Sequence, residues 1–337
     1  MLNNDVTLTS TDSRQRIREL LTVAQLYYRQ NKTQLQIAQE IGYSRATVSR
    51  MLQEAQERGI VRISINDPLE RLQHLESQLI TIFGLTYARV SEPPEGRSAI
   101  DVVPRSAATL LIEHTSPDAL ITVSNGRAVA ATVREVPIQD WKRTNVTQMI
   151  GSLSPSNPMT DSPEICMMLA QRLGGTYTTL PVPMILSSAS MARAMLKEEQ
   201  IATTLTLGGR ADVAIVGVGS VFGGRSGHIF TSYEDARFIS EIKKRGAVGH
   251  ICGHHIDIEG HHLHTSLCER TVSIEFERLR RIPLVIGVAW GHAKAAAILA
   301  CLKGKLLSAL ATDRSTAEEI ISLNETRYIP KTAQVPA

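Results

Sequence analysis

Aromatic residues make up only 4% of these 337 residues, so a core has to be built from Leu, Ile, Val and Ala. Long apolar runs are missing as well. None approaches the roughly 20 residues of a membrane helix, and the longest, around Ile282 to Trp290, has the length of a strand. The four cysteines, Cys166, Cys252, Cys268 and Cys301, are widely spaced without a Cys-x-x-Cys pair, which favours reduced thiols. There is no low-complexity tract and no repeat at a solenoid period. Met1 to Ser13 are polar, with no apolar signal region. These absences speak against a membrane span, a disulfide scaffold and a repeat array, and a cytoplasmic protein with no membrane partner is expected.

What is present begins with Thr33 to Arg58, which reads as a helix-turn-helix. Leu35, Ile37, Ala38 and Ile41 give a first short helix an inward stripe, and Gly42 stands where the chain must turn sharply. Ser44 is placed to cap a second helix whose buried face is Val48, Met51, Leu52 and Ala55. Ser44, Arg45, Ala46, Thr47, Ser49 and Arg50 then occupy the outward early turns that meet base edges and phosphates in a major groove, with Gln34 at the start of the preceding helix. Between Arg14 and Arg62, nine Lys and Arg oppose four Glu, a net +5 in a chain whose total is +3. Basic charge gathered on a small module suits phosphate binding, and double-stranded DNA is the expected partner.

The length suits one such head and one large domain. Residues 1–13 are expected to be disordered and 14–66 to form the DNA-binding domain. Ser13 to Arg29 reads as a supporting helix with Ile17, Leu20, Leu21, Ala24 and Tyr28 on one side, and Ile60 to Ile65 as a short wing strand. Residues 67–84, opened by Asp67-Pro68 and carrying Leu69, Leu72, Leu75 and Leu79, read as a linker helix that either pairs with a sister chain or docks on its own domain. Residues 85–325 form the large domain and 326–337 a tail.

In that domain strand-like runs alternate with helical stretches, the signature of an α/β fold with a Rossmann-like parallel sheet. The runs are Ala119 to Val123, Val146 to Ile150, Ala211 to Val216, Pro283 to Ala289 and Leu306 to Leu310. Glycines mostly follow them, at the carboxyl ends where open α/β sheets bind ligands. Ser152 to Pro163, rich in Ser, Pro, Asn and Thr, reads as a mobile loop.

Head and body together resemble the SorC family of bacterial sugar-responsive transcriptional regulators. Ile121 to Arg127, Ala211 to Ser220, Gly246 to Gly249, Gly291 to Ile298 and Ala309 to Ala317 carry the resemblance, which runs from about Arg14 to about Leu323. It implies a sensor domain folded like phosphosugar isomerases and CoA transferases, a homo-oligomer (dimer or tetramer), and operator binding controlled by a sugar, polyol or sugar phosphate. Carried over by position, the effector site would comprise Ser124, Asn125, Gly126, Arg127, Gly151, Gly217, Gly219, His250, Asp257, Lys294 and Asp313. The chain departs from the family pattern at Ala128, where a hydroxyl is usual, at Ile150, where phosphosugar-binding members often have a basic residue, and at His250, where an acid is usual.

Seven of the ten histidines lie between His228 and His264. If His250, Cys252 and His254 share one strand, alternation puts them on one face, as candidate metal ligands. The alternative is a polar surface loop with His250 neutral in the pocket. A titrating imidazole would also make effector affinity depend on pH. No cofactor is implied. A different class of function, a sugar-phosphate isomerase with an appended head, would use Asp212, Asp257, Lys294 or Asp313 for acid-base work, but no spacing forces a catalytic pair together, and a non-enzymic regulator is the expectation.

Overall fold

The computed structural model describes residues 10–61, 72–153, 160–221 and 236–326, which belong to two compact units, Met1–Asp67 and Pro68–Ala337. The first unit holds α1 (Ser10–Tyr28), α2 (Gln34–Ile41) and α3 (Arg45–Glu57). Thr33 starts α2 with a capping box: its N–H donates to Gln36 Oε1 at 2.9 Å and its hydroxyl accepts the Gln36 N–H at 3.3 Å. Gly42 ends α2 in the left-handed region, φ 74°, and Ser44 caps α3 by accepting the Thr47 N–H at 3.1 Å. Leu20, Val23, Ile37, Val48, Met51 and Ala55 form the core between the three helices.

Three expectations shift here. Helix α1 already begins at Ser10, inside the stretch expected to be disordered. Its packing face runs through Leu20, Val23 and Ala24, so Ile17, Leu21 and Tyr28 lie on one exposed flank, about 80° round the helix. Leu35 is outward, because Ile37 and Ala38 set the packing face of α2. Ile60 and Val61 pack on this core; the rest of the expected wing and the opening of the linker helix lie outside the described residues.

The second unit begins with α4 (Gln73–Phe83), which docks on its own unit through Leu75, Leu79 and Phe83. It continues through β1 (Tyr87–Ser91), α5 (Ala99–Glu113), β2 (Leu120–Val123), α6 (Arg127–Glu135), β3 (Asn145–Gln148), α7 (Ser162–Leu173) and β4 (Thr176–Thr178). Then follow α8 (Ala189–Met195), α9 (Glu199–Gly208), β5 (Val213–Ser220), α10 (Ala236–Lys244), β6 (Gly249–Ile251), β7 (His254–Ile256) and β8 (His262–Leu263). Last come α11 (Phe276–Leu279), β9 (Leu284–Val288), α12 (Ala295–Lys303), β10 (Ala309–Asp313) and α13 (Arg314–Glu325).

Seven parallel strands run in the order β1-β10-β9-β5-β2-β3-β4, and β6, β7 and β8 extend antiparallel from the end of β5. Alternate residues of each strand face opposite sides, so two apolar cores form. Ile121, Val146, Ile215 and Ile286 face α5, α6 and α7, while Ala214, Val216, Val285 and Leu310 face α4, α9, α12 and α13. The last strand is displaced from its expected place: Leu306 and Leu307 fill the core after a turn at Lys305, φ 55°, and β10 starts at Ala309. Asp161 caps α7 within the expected loop, and its carboxylate also accepts the Leu153 N–H; residues 154–159 lie outside the described set.

Strand β1 is an edge, and α4 covers it. The Leu72 N–H donates to Val90 O at 2.9 Å, and the Val90 N–H donates to Oε1 of the buried Glu76 at 3.0 Å. Glu76→Ala is expected to leave that N–H buried without its acceptor and cost about 1–3 kcal/mol, whereas Glu76→Gln keeps an acceptor and costs less. Urea unfolding of the two variants separates these outcomes.

Candidate functional site

In the helical unit, Arg45, Ala46, Ser49 and Arg50 are exposed on the first turns of α3. Ser44 and Thr47 are partly committed to the cap, their hydroxyls 2.8 Å apart, and Gln34 opens α2 half-buried. Three neighbouring cations have partners: Arg16 and Arg58 both reach Glu54 at 2.7 Å, and Lys32 reaches Glu40 at 2.6 Å. Among the described residues no ion pair or hydrogen bond ties down the side chains of Arg45 and Arg50. These two guanidiniums are therefore available to phosphates or base edges.

In the α/β unit, chain order reverses at β2: α6 leads to β3 on one side, while β5 lies on the other. The crevice at the carboxyl ends of β2 and β5 is a topological switch point, where such sheets bind ligands. Ser124 and Asn125 are buried there, and Ser124 Oγ accepts the Gly217 N–H at 3.3 Å. Gly126, φ 115°, turns the chain into α6, so that Arg127 stands exposed on its first turn. Gly217 leaves space, since an added Cβ would be 3.7 Å from the nearest atoms. From β9, Gly291 with φ 100° leads into a 3-10 turn ending at Lys294. Burial and then the Arg127 charge push the Lys294 ammonium down to about 8. No ion pair or hydrogen bond to its Nζ relieves it among the described residues.

Not every expected site residue converges on this crevice. The Gly151 N–H is used by Val272 O, and a Cβ there would meet Val182 O at 2.7 Å, so Gly151 serves close packing. At Gly219 the space is filled by the His250 ring, 2.0 Å from where a Cβ would be; the glycine makes room for an imidazole, not for a sugar. Asp257 holds a turn, accepting the Glu259 and His261 N–H groups at 3.0 and 2.9 Å. That turn packs on Ala300 and Gly304 at the far end of α12 from Lys294, about 13 Å along a nine-residue helix, which takes Asp257 out of the crevice. Asp313 ends β10, but its carboxylate caps α13, accepting from Thr316 N–H at 3.2 Å and Ser315 Oγ at 3.1 Å. Asp212 accepts the Leu120 N–H at 2.9 Å, at the opposite, amino-terminal end of β2.

Residues 67–322 match the Sugar-bind family, a sugar-binding domain. The chain is 32% identical over 313 residues to the sorbitol operon regulator of Klebsiella pneumoniae, covering 90% of this chain and 98% of that protein. It is 30% identical over 308 residues to the deoxyribonucleoside regulator of Bacillus subtilis, covering 90% and 96%. The crystal structure of the full-length Klebsiella sorbitol operon regulator SorC superposes with a TM-score of 0.74 at 31% identity, covering 90% of this chain and 98% of that one. The chain belongs to the SorC family of transcriptional regulators. It is a sugar-responsive regulator of that family, and among its described residues no helix is long and apolar enough to cross a membrane.

The histidine-rich segment of this SorC-family chain is not the single strand that the alternation of His250, Cys252 and His254 suggested. His250 lies on β6 and His254 on β7, joined by a turn with Cys252 at φ 48°, so that His250 faces His255 across the hairpin. Among the described residues no group of three or more His, Cys, Asp or Glu could hold a metal ion. His228 lies outside the described residues. His254 Nε2 contacts Ile274 O at 2.8 Å, and a carbonyl only accepts, so Nε2 carries the proton. Its Nδ1 is left to accept from His262 Nε2–H at 3.2 Å, with Phe276 stacked on the His262 ring.

Burial, then His255 and Lys294, push His250 down to about 3; burial and then His254 push His255 down to about 4. Both imidazoles stay neutral across the range where effector affinity was expected to titrate, so His250 is not the source of such a dependence. They affect stability instead. The unfolded chain takes up these protons near pH 6.5 and the native chain does not, so stability is full above that value and falls as pH drops below it. Each of the two is expected to cost about 1 kcal/mol between pH 7 and 5.5, read as a falling urea midpoint that is less pH-dependent in His250→Gln. Gly219→Ala, which collides with the His250 ring, is expected to destabilise strongly and to be partly rescued by His250→Ala, a non-additivity that a double-mutant cycle measures.

Proposed function

We propose that this regulator binds operator DNA through α3 and is controlled by a sugar or polyol carrying an anionic group, a sugar phosphate foremost, in the β2/β5 crevice. The observation that carries the reading is the Lys294 ammonium: half-buried beside Arg127, with no carboxylate paired to it among the described residues. Burial and a like charge both disfavour the charged form of Lys294, and a bound anion would relieve both. Arg127 would give a planar donor fork and Lys294 a point charge, while Ser124 and Asn125 offer hydroxyl and amide groups and Gly217 admits the ligand close to the backbone. The ligand acts by binding one of two conformations more tightly than the other, which changes operator affinity.

A homo-oligomer, dimer or tetramer, belongs to this reading. A single three-helix head presents few side chains to a groove, too few for selectivity over a genome, and paired heads reading half-sites about one helical turn apart supply the rest. The chain acts without catalysis on this reading, because the carboxylates an isomerase would use are engaged elsewhere: Asp212 at a strand start, Asp257 in a turn and Asp313 in a cap.

Thermal shift against matched free and phosphorylated sugars and polyols is the test. A ligand at a hundred times its dissociation constant should stabilise by about 2.7 kcal/mol, for phosphorylated members only, and Lys294→Met should abolish the shift. Stabilisation by free sugars alone would overturn the anion reading. Affinity is also expected to be flat from pH 6.5 to 7.5 and to fall as Lys294 loses its proton above about 8, a fall absent in Lys294→Arg.

A further inference from the structure

The exposed residues of α3 do not all point the same way, and the difference divides their roles. The buried stripe is Val48, Met51, Leu52 and Ala55. At about 100° per residue, Ala46, Arg50 and Gln53 fall within about 30° of the direction opposite that stripe, whereas Arg45 falls about 110° from that direction, on the flank. Arg45 instead lines a cleft of about 790 Å³ together with Tyr27, Lys32, Thr33 and Gln34 from the end of α1 and the start of α2. Lys32 in this cleft is paired with Glu40 and the Thr33 hydroxyl serves the α2 cap, so Arg45 is its untied cation, placed on the flank where a backbone phosphate passes.

Gln53 was not among the residues singled out from the sequence. Its amide Nε2 donates to Glu57 Oε1 at 2.9 Å, one turn further along α3. That bond fixes the amide plane and uses one N–H. The second N–H and Oε1 remain as an adjacent donor and acceptor, complementary to N7 and the N6 amino group of adenine. Arg50, three residues earlier on the same face, has no ion pair among the described residues and presents the fork that matches O6 and N7 of guanine.

Resting on the DNA-binding reading of the head, we propose that Gln53, oriented by Glu57, and Arg50 read sequence as an adenine and a guanine contact, while Arg45 clamps a backbone phosphate from the flanking cleft. Base specificity thus reaches the third turn of α3, beyond its capped first turn, and the arginine nearest the cap carries none of it.

The test is selection from a random duplex pool by the full-length protein and its Arg45→Ala, Arg50→Ala and Gln53→Ala variants, followed by binding to the wild-type winner at several salt concentrations. Gln53→Ala and Arg50→Ala should each erase preference at one position, an adenine and a guanine respectively, by about tenfold or more. Replacing that adenine by 7-deazaadenine should weaken the wild type and leave Gln53→Ala unaffected. Arg45→Ala should keep every preference, weaken all duplexes alike and lower the salt slope by about one. Relaxation of a single position by Arg45→Ala, or an unchanged preference in Gln53→Ala, overturns the assignment. A wild-type chain that enriches no sequence from the pool sinks the DNA-binding reading itself, and the division of roles with it.

Discussion

Backbone groups of a buried strand have to be hydrogen-bonded, and β5 meets that requirement with three different partner strands along its eight residues. Val213 to Gly217 pair with β9, and Val213 to Ile215 also pair with β2, all parallel; Val218 to Ser220 then continue past the layer to pair antiparallel with β6. The sensor unit is organised by this one strand. It sets the switch point with β2, carries the hairpin that places His250, and lines up the ends of β2, β5 and β9 side by side. Two glycines make the passage possible, Gly217 by leaving the crevice open and Gly219 by making room for an imidazole.

Charge is then distributed in a way that stability alone does not explain. Asp313 and Asp257 are spent on a cap and a turn, while Lys294 at the crevice feels the Arg127 charge and has no paired acid among the described residues. In the helical unit Arg16, Arg58 and Lys32 are paired with glutamates, while Arg45 and Arg50 are untied on α3. Each unit thus holds untied positive charge at its candidate site, Arg45 and Arg50 in one and Lys294 in the other.

Much of this was legible in the chain. The fold class, four of the parallel strands in place and a fifth displaced by three residues, and the helix-turn-helix with its Ser44 cap and Gly42 turn follow from local patterns, because period and capping chemistry are properties of short segments. The short strands were not legible: β1, β4 and β6 to β8 are two to five residues long and owe their conformation to partners far along the chain. The exposed flank of α1 was misjudged for a related reason, since Ile17 and Leu21 lie as near to a helical stripe as Val23 does and only the neighbouring helices choose between them.

Family position brought Arg127, Lys294, Ser124, Asn125 and Gly217 to one crevice, but the same reasoning placed Asp257 there, and the structure puts it at the other end of α12. The sequence by itself determined what is local: which segments are helix or strand, where helices start and stop, and that positive charge is gathered at the N-terminal module. Only the tertiary structure decided what depends on the meeting of distant segments. It turned the histidine alternation into a hairpin that sets His250 and His254 on separate strands and directed Arg45 into a cleft away from the face of Arg50. It also set Lys294 beside Arg127, 167 positions earlier in the chain. Burial and electrostatic neighbourhood are properties of the packed chain, and no window of sequence contains them.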